Sequence, residues 1–325
     1  MEHRQLGRTG LRVSRLGLGT LTWGRDTGER DAADQLKSFW EAGGSLVDTA
    51  DVYADGGAEY LLGRLIEDLV PRSDLVIATK AGSVPDPDRR FDTSRGHLLA
   101  ALDASLQRLG TDHVDLWQVH AYDPDTPLEE TLQALDIAVS SGRARYVGVS
   151  NFCGWQLAKA ASWQLASPGR TPLASTQMEY SLLQRGVERE VLPAAVDLGV
   201  GLLPSSPLGR GVLTGKYRNG TPEGSRGSSE MAAFVAPYLD ETAGLIVDAL
   251  AIAADGLAVS PLHVALAWVR DRPGVSAPIL GARNAAQLST ALSVEGLTLP
   301  EEICSALDDV SAPLHRYPDH DWTTL

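Results

Sequence analysis

The sequence predicts an α/β fold in which eight parallel strands close into a single (β/α)8 TIM barrel. Short apolar runs alternate with longer helical patterns, which is typical of parallel strands joined by crossover helices. Polar residues follow six of these runs: Asp48, Lys80, His120, Asn151, Gln177 and Ser206. In an open sheet these residues would spread along a line. A barrel brings them to one mouth, where active sites of such barrels lie.

The strand candidates are apolar runs of two to six residues. They cover residues 16–19, 46–47, 75–78, 114–119, 146–149, 173–176, 200–203 and 275–280. Helical patterns lie between them at 59–68, 95–109, 128–140, 156–165 and 188–198. Most intervals fit one strand–helix unit. The longer interval from 206 to 281 predicts an insertion.

A β-hairpin is predicted ahead of the first unit, within residues 1–14. Gly7 and Gly10 bracket its turn, and it is expected to plug the far end of the barrel. No low-complexity run or proline-rich linker divides the chain. Residues 1–325 are therefore expected to form one domain.

Composition excludes several functional classes. With 28 Lys+Arg against 42 Asp+Glu, the net charge is −14, which disfavours binding to nucleic acid or to an anionic membrane. Cys153 and Cys304 lack the spacing of a zinc site and are interpreted as reduced thiols. The N-terminal residues do not resemble a signal segment, and no apolar run is long enough to span a membrane. We therefore expect a cytoplasmic protein. We expect no bound metal.

Four of the side chains expected at the mouth suit carbonyl chemistry. Tyrosine is a weak acid at neutral pH, and a neighbouring ammonium lowers its pKa. A carboxylate can hold that ammonium in place, and a histidine can orient a carbonyl oxygen. Asp48, Tyr53, Lys80 and His120 supply this set, which suits protonation of a carbonyl as hydride arrives.

The motifs that carry these residues resemble the aldo-keto reductase family over nearly the whole chain. They are LGRTGLRVS from Leu6, LGLGT from Leu16, DTADVY from Asp48, ATK from Ala78, VH at Val119, VGVSNF from Val147, QMEYSL from Gln177, SPLGRGVLTGKY from Ser206, GAR from Gly281 and QL at Gln287. The stretch from Ser206 is similar to the potassium-channel β-subunit branch. Unlike many members of that branch, this chain retains His120, which favours an active reductase.

The resemblance implies an enzyme that uses NADP(H) to reduce aldehydes or ketones to alcohols. Tyr53 would be the proton donor, Lys80 and Asp48 its tuning pair, and His120 the orienting residue. Consistent with this family, no GxGxxG motif follows a strand. The expected partner is a small-molecule carbonyl substrate.

The resemblance also assigns cofactor contacts. Ser150, Asn151 and Gln177 would hold the carboxamide, and Tyr180 would stack on the nicotinamide ring. Residues 206–210 with Lys216 and Arg226 would line the pyrophosphate, and Arg283 with Gln287 would receive the 2′-phosphate and adenosine. The full set of expected contacts is Thr20, Leu21, Ser150, Asn151, Gln177, Tyr180, Ser205, Ser206, Pro207, Leu208, Gly209, Arg210, Lys216, Arg226, Gly281, Arg283 and Gln287. Thr290 and Ala291 stand where relatives often carry an acidic residue and an asparagine against adenine.

The substrate end is defined by fewer residues. Trp23 and Tyr122 are expected to wall the pocket. The Gly-, Ser- and Pro-rich residues 218–237 form a loop expected on the cofactor side. The aromatic tail, residues 312–325, is expected to approach the mouth.

Two narrower or different functions fit the same residues. One is a reductase of a nucleotide-linked keto-sugar, which would need arginines at the mouth. The other is a regulatory subunit that senses NADP(H) and turns over poorly. An unrelated barrel enzyme, such as a sugar-phosphate isomerase, has no motif in its favour.

Overall fold

Strands and helices alternate along the chain in a computed structural model that describes residues 1–66, 68–86, 88–229 and 231–313. The strands are β1 (His3–Gln5), β2 (Arg12–Ser14), β3 (Gly17–Gly19), β4 (Leu46–Asp48), β5 (Val76–Ala81), β6 (Val114–Val119), β7 (Ala144–Ser150), β8 (Leu173–Glu179), β9 (Gly201–Ser205) and β10 (Ile279–Gly281). The helices are α1 (Glu29–Glu41), α2 (Gly57–Leu65), α3 (Arg95–Leu109), α4 (Leu128–Ser140), α5 (Gly154–Leu165), α6 (Val191–Leu198), α7 (Ala232–Val235), α8 (Glu241–Gly256), α9 (Pro261–Arg270), α10 (Ala285–Leu292) and α11 (Glu301–Val310).

The eight strands β3 to β10 form one parallel sheet that closes into the predicted barrel. Their order is β10-β3-β4-β5-β6-β7-β8-β9. Val275, which precedes β10, bridges Leu202 of β9, and the Ser276 amide donates to the Leu202 carbonyl at 2.8 Å. The last strand is shorter than predicted because Val275 joins its neighbour only through this bridge.

The predicted hairpin is present and seals the N-terminal end of the barrel. β1 and β2 pair antiparallel, and the turn between them packs on β8 and β9: the Arg8 amide donates to the Gly199 carbonyl at 2.7 Å. Leu6 and Val13 are fully buried and pack into a core cluster inside the barrel. The other members of this cluster are Leu46, Ala78, Leu116, Ala174, Leu203, Ala277 and Ile279. With this end plugged, the opposite mouth is left for a ligand.

The long interval between β9 and β10 contains the predicted insertion. It carries α7, α8, α9 and several 3-10 turns. No single helix in the described ranges is long and apolar enough to cross a membrane, although the pair α8 and α9, bent by 100°, meets the length and composition criteria together. The predicted tail at 312–325 lies outside the described residues beyond 313.

Close packing of α2 against α3 gives a test of the fold. A methyl group added at Gly63 would overlap the Arg108 carbonyl oxygen, whereas one added at Gly244 of α8 would meet open space. We expect Gly63→Ala to lower the free energy of unfolding by about 1–3 kcal/mol. Gly244→Ala should raise it by about 0.5–1 kcal/mol, because alanine loses less entropy in a helix. Paired thermal melts would show shifts of opposite sign, and equal shifts would contradict this packing.

Candidate active site

Tyr53, Lys80, Asp48 and His120 meet at the open mouth of the barrel. Lys80 Nζ donates to Asp48 Oδ2 at 2.7 Å and lies 3.4 Å from the Tyr53 hydroxyl oxygen. The rings of Tyr53 and His120 are edge-to-face, with centroids 6.0 Å apart. Adjacent parallel strands β4, β5 and β6 end at one edge, and this brings together residues far apart in sequence.

The buried Lys80–Asp48 pair fixes a positive charge beside the tyrosine. Burial acts to lower the pKa of Lys80, but Asp48 and Tyr53 outweigh it and raise that pKa above its usual value. Burial also raises the pKa of Tyr53, and Lys80 opposes this increase. The expected effect of the ammonium on Tyr53 is therefore present, but burial is larger, and the phenol stays protonated at neutral pH.

The histidine is neutral. Burial, with Lys80 as a second cause, lowers the pKa of His120 to about 3. Its Nδ1 is buried and has no hydrogen-bond partner among the residues that the structure describes. Asn151 Nδ2 donates to the His120 carbonyl at 2.9 Å, which fixes the backbone at this position. A neutral imidazole carries one N–H and can donate one hydrogen bond to a substrate oxygen.

A cavity of about 340 Å³ opens beside Tyr53, at the C-terminal ends of five strands. This is within the usual range for a small-molecule site. Fourteen of the residues singled out from the sequence line it: Leu21, Asp48, Tyr53, Gln177, Ser205, Ser206, Pro207, Leu208, Arg210, Lys216, Arg226, Gly281, Arg283 and Gln287. Gln177 also donates to Asp48 Oδ1 at 2.8 Å, which links the cavity lining to the Lys80–Asp48 pair.

The far end of the cavity is cationic. Lys216, Arg226 and Arg283 line it, and within the described ranges none of the three forms an ion pair with an acid. Burial lowers the pKa of Arg226, and the nearby Arg283 lowers it further. The pKa of Lys216 is also lowered, by burial and then by Arg226 and Arg283. Three mutually repelling cations in a protein of charge −14 make a good anion site.

The backbone at this end is shaped to approach a ligand closely. Ser206, Arg210 and Gly211 all have positive φ, and a methyl group at Gly211 would lie 3.2 Å from Lys216 Nζ. Helix α10 begins beside Arg283, with Asn284 as its N-cap. Peptide N–H groups in such turns and at helix N-termini attract anions. The donors therefore fit a phosphorylated dinucleotide.

Arg210 differs from its expected role. Its guanidinium donates two hydrogen bonds to the Glu179 carboxylate, at 2.9 and 2.6 Å, and a third to the Phe234 carbonyl at 2.6 Å. It also lies over the rings of Phe234 and Tyr238. The charge of Arg210 is thus neutralised, and this residue holds residues 234–238 of the insertion beside the cavity. Phe234 itself lines the cavity, as expected of the loop at 218–237.

Two aromatic residues are not brought to the cavity. Tyr180 is fully buried; its hydroxyl donates to Glu188 at 2.6 Å and its ring packs on Trp268. A ring without exposed surface cannot stack on a ligand, so the predicted stacking was wrong. Trp23 is also fully buried and donates to Gln35 at 3.1 Å, so it does not wall a pocket.

Four other predicted cofactor contacts, Thr20, Ser150, Asn151 and Gly209, do not line the cavity. Thr20 donates to the Asp48 carbonyl at 3.2 Å, and Asn151 donates to Ser150 Oγ at 3.1 Å. A methyl group at Gly209 would meet Leu183, not the cavity. These residues support the strand ends on which the cavity is built.

Three aromatic residues that follow His120 and Asn151 in the chain form a cluster. Tyr122 packs edge-to-face on Phe152 and Trp155, with centroids 5.5 and 5.7 Å apart. Trp155, in the first turn of α5, is 56% exposed. We call Tyr122, Phe152 and Trp155 the aromatic ledge. Tyr122, predicted to wall the pocket, does not line the cavity, so that role stays a prediction. Trp155 was not predicted from the sequence, although its place three residues after the VGVSNF motif was a usable signal.

Three lining residues, Thr22, Thr214 and Leu262, carried no functional signal in the sequence. Ala291, at the position where relatives often contact adenine, also lines the cavity. Thr290, the neighbour of Ala291, donates its hydroxyl to the Ala286 carbonyl within α10. Among the described residues no group of three or more His, Cys, Asp or Glu side chains could hold a metal.

The chain belongs to the Aldo/keto reductase family, whose model matches residues 15–312. It is 37% identical over 320 residues to "Uncharacterized oxidoreductase YrpG" of Bacillus subtilis (strain 168), covering 95% of this chain and 96% of that protein. It is 37% identical to the rice "Probable voltage-gated potassium channel subunit beta", covering 98% of both chains. It is 32% identical to "Versiconal hemiacetal acetate reductase" of Aspergillus parasiticus, covering 93% of this chain and 95% of that protein.

Proposed function

We propose that this protein reduces aldehyde or ketone carbonyls to alcohols with NADP(H), and that Tyr53 is the proton donor. The observation that carries the proposal is the Tyr53 hydroxyl, held 3.4 Å from a buried ammonium at the edge of a cation-lined cavity. The family and the two relatives named as oxidoreductase and reductase support it. Incubating the protein with NADPH and a panel of carbonyl compounds tests it: carbonyl-dependent loss of NADPH is expected, and tight binding with no turnover would contradict it.

NADPH, when bound, supplies hydride to the carbonyl carbon. Lys216, Arg226 and Arg283 would hold its phosphates, and Gln177 would contact the carboxamide. Lys216, Arg226 and Arg283 form no ion pair with an acid among the described residues, and such cations favour the cofactor that carries the additional 2′-phosphate.

Tyr53 completes the reduction. As the C=O π bond opens and a C–H bond forms, negative charge develops on the oxygen, and Tyr53 transfers its proton there. The phenolate left on Tyr53 is stabilised by Lys80 and regains a proton from water. Neutral His120 donates a hydrogen bond to the same oxygen, which stabilises the developing charge.

The aromatic ledge supports an apolar substrate. Phe152 follows Asn151, which bonds the His120 backbone, so the ledge borders the group that orients the carbonyl. The exposed ring of Trp155, backed by Tyr122, favours an aryl or other apolar substituent next to the reacting carbon. Arg89, in the loop after β5, is paired with Asp92 at 3.1 Å, so this arginine is not free to hold a diphosphate. The ledge therefore favours aryl aldehydes over a nucleotide-linked keto-sugar.

Trp155→Ala tests the substrate class. We expect KM for aryl aldehydes to rise about tenfold, since burying an aromatic contact is worth roughly 1–1.5 kcal/mol. KM for a small aldehyde such as glyceraldehyde should stay nearly constant. Trp163→Ala is the matched control, because Trp163 lies at the other end of α5 and stacks on Arg170. Unchanged KM values for both substrates in Trp155→Ala would exclude the ledge from binding.

A second candidate function is a regulatory subunit that binds NADP(H) and turns over slowly. The observation in its favour is the identity to the rice protein named as a channel subunit. Stopped-flow mixing separates the two candidates. An enzyme oxidises bound NADPH rapidly when an aldehyde is added, whereas a sensor retains it.

A further inference from the structure

Two further acids, the partly buried Asp51 and the buried Glu59, lie behind the catalytic cluster. Asp51, two residues before Tyr53, donates its backbone N–H to the Lys80 carbonyl at 3.1 Å, which places it beside the end of β5. Its Oδ1 atom is buried and has no hydrogen-bond partner among the described residues. Nearby Glu59 of α2 is fully buried. Neither acid belongs to the chemistry described above.

The two acids differ in how they are satisfied. Glu59 accepts a hydrogen bond from Thr79 Oγ1 and one from Arg108 Nε at 2.7 Å. Asp51 has no ion pair of its own in the described ranges. Burial, and then repulsion from Glu59, raises the pKa of Asp51 to about 7, while Arg108 and Lys80 oppose the increase. The unpartnered Oδ1 atom of Asp51 and this raised pKa both favour a protonated carboxyl near neutral pH.

The charged groups around Asp51 come from four elements. They are Glu59 on α2, Arg108 on α3, Lys80 on β5 and Tyr53 on its own loop. None of the catalytic groups whose pKa is shifted titrates near neutrality: the pKa of His120 is about 3, and those of Tyr53 and Lys80 lie above their usual values. Among the groups whose pKa is shifted, Asp51 is the one with a pKa near neutrality.

We propose that Asp51 is a positioning residue for proton transfer, and that reduction is fastest when its carboxyl, whose Oδ1 atom is buried, is protonated. This inference rests on the proposed function. An ionised Asp51 adds a negative charge close to the place where the substrate oxygen becomes negative and Tyr53 loses its proton. The negative charge raises the free energy of the transition state, in which the substrate oxygen becomes negative and Tyr53 loses its proton. The neutral acid has no such effect.

The rate test compares Asp51→Asn with wild type. Single-turnover oxidation of bound NADPH by an aldehyde, measured from pH 5.5 to 9, excludes effects of cofactor binding. The wild-type rate should fall about three- to tenfold with a midpoint near 7. Asp51→Asn should remain fast across the range, and Asp51→Glu should restore the fall. Asp55→Asn, an exposed acid in the same loop, should behave like wild type.

A stability measurement tests Asp51 without any turnover. A carboxyl whose pKa is higher in the folded than in the unfolded protein makes the protein less stable as pH rises. For Asp51 this loss extends from the unfolded-state pKa, near 4, through the folded-state pKa, near 7. The Tm advantage of Asp51→Asn over wild type should therefore grow between pH 5 and 8, and that of Asp55→Asn should not. If this Tm difference grows with pH but neither wild type nor any variant turns over, only the proposed function is contradicted. A wild-type rate profile that Asp51→Asn leaves unchanged would overturn the role of Asp51.

Discussion

The Tyr53→Phe variant is expected to lose about 10²- to 10⁴-fold in kcat for carbonyl reduction, the range over which a positioned general acid contributes. The phenol is the group that lies 3.4 Å from Lys80 Nζ and faces the cavity with an exchangeable proton. Phenylalanine keeps the ring against His120 and removes only the oxygen. The measurement is kcat at saturating NADPH, together with the NADPH Kd.

Cofactor binding separates this effect from misfolding. The Kd for NADPH should be nearly unchanged in Tyr53→Phe, because the cations that hold the phosphates are untouched. Tyr60→Phe is the matched control, since Tyr60 lies on α2 and its side chain is exposed. Wild-type kcat in Tyr53→Phe would contradict the assignment of the proton donor.

Removal of one cavity cation has the second largest expected effect. Arg226→Ala or Arg283→Ala should raise the Kd for NADPH about 10- to 100-fold, because a hydrogen bond to a charged group contributes roughly 1.5–3 kcal/mol. The preference for NADPH over NADH should narrow most in whichever variant lacks the 2′-phosphate contact. Fluorescence titrations with both cofactors at fixed salt measure this, since exposed charges are screened.

A neighbouring arginine provides the control for charge. Arg25 is close enough to affect the pKa of Arg226, but it pairs with Asp26 at 2.7 Å and does not line the cavity. Arg25→Ala should change the Kd for NADPH little. If all three variants bound NADPH as wild type does, the cationic end would not be a phosphate site.

Much of the site could be predicted because a parallel barrel converts sequence order into geometry. Every strand end faces the same mouth, so a polar residue after an apolar run can be placed without knowing any contact. Asp48 and Lys80 are 32 residues apart, yet their predicted pairing follows from adjacent strands β4 and β5. The helix over 95–109 was also predictable, since Ser94 caps its start and Gly110 ends it.

What could not be predicted depends on where a side chain points and what it meets. Tyr180 and Trp23 follow strands at the mouth but turn into the core, where Glu188 and Gln35 satisfy their polar atoms. Arg210 is neutralised by Glu179, 31 residues away, so its sequence motif alone indicates a free cation. The titration of Asp51 depends on Glu59 and on burial, and neither is visible in the DTADVY motif.

Hydride transfer from NADPH to a carbonyl carbon is tested most directly by following the transferred hydrogen. The protein is mixed with an aryl aldehyde and NADPH that carries deuterium in place of both hydrogens at nicotinamide C4, and the alcohol product is analysed by mass spectrometry. We expect deuterium on the carbinol carbon, and we expect product formation to depend on Tyr53. Alcohol without deuterium, or NADPH bound but never oxidised by any carbonyl, would contradict it.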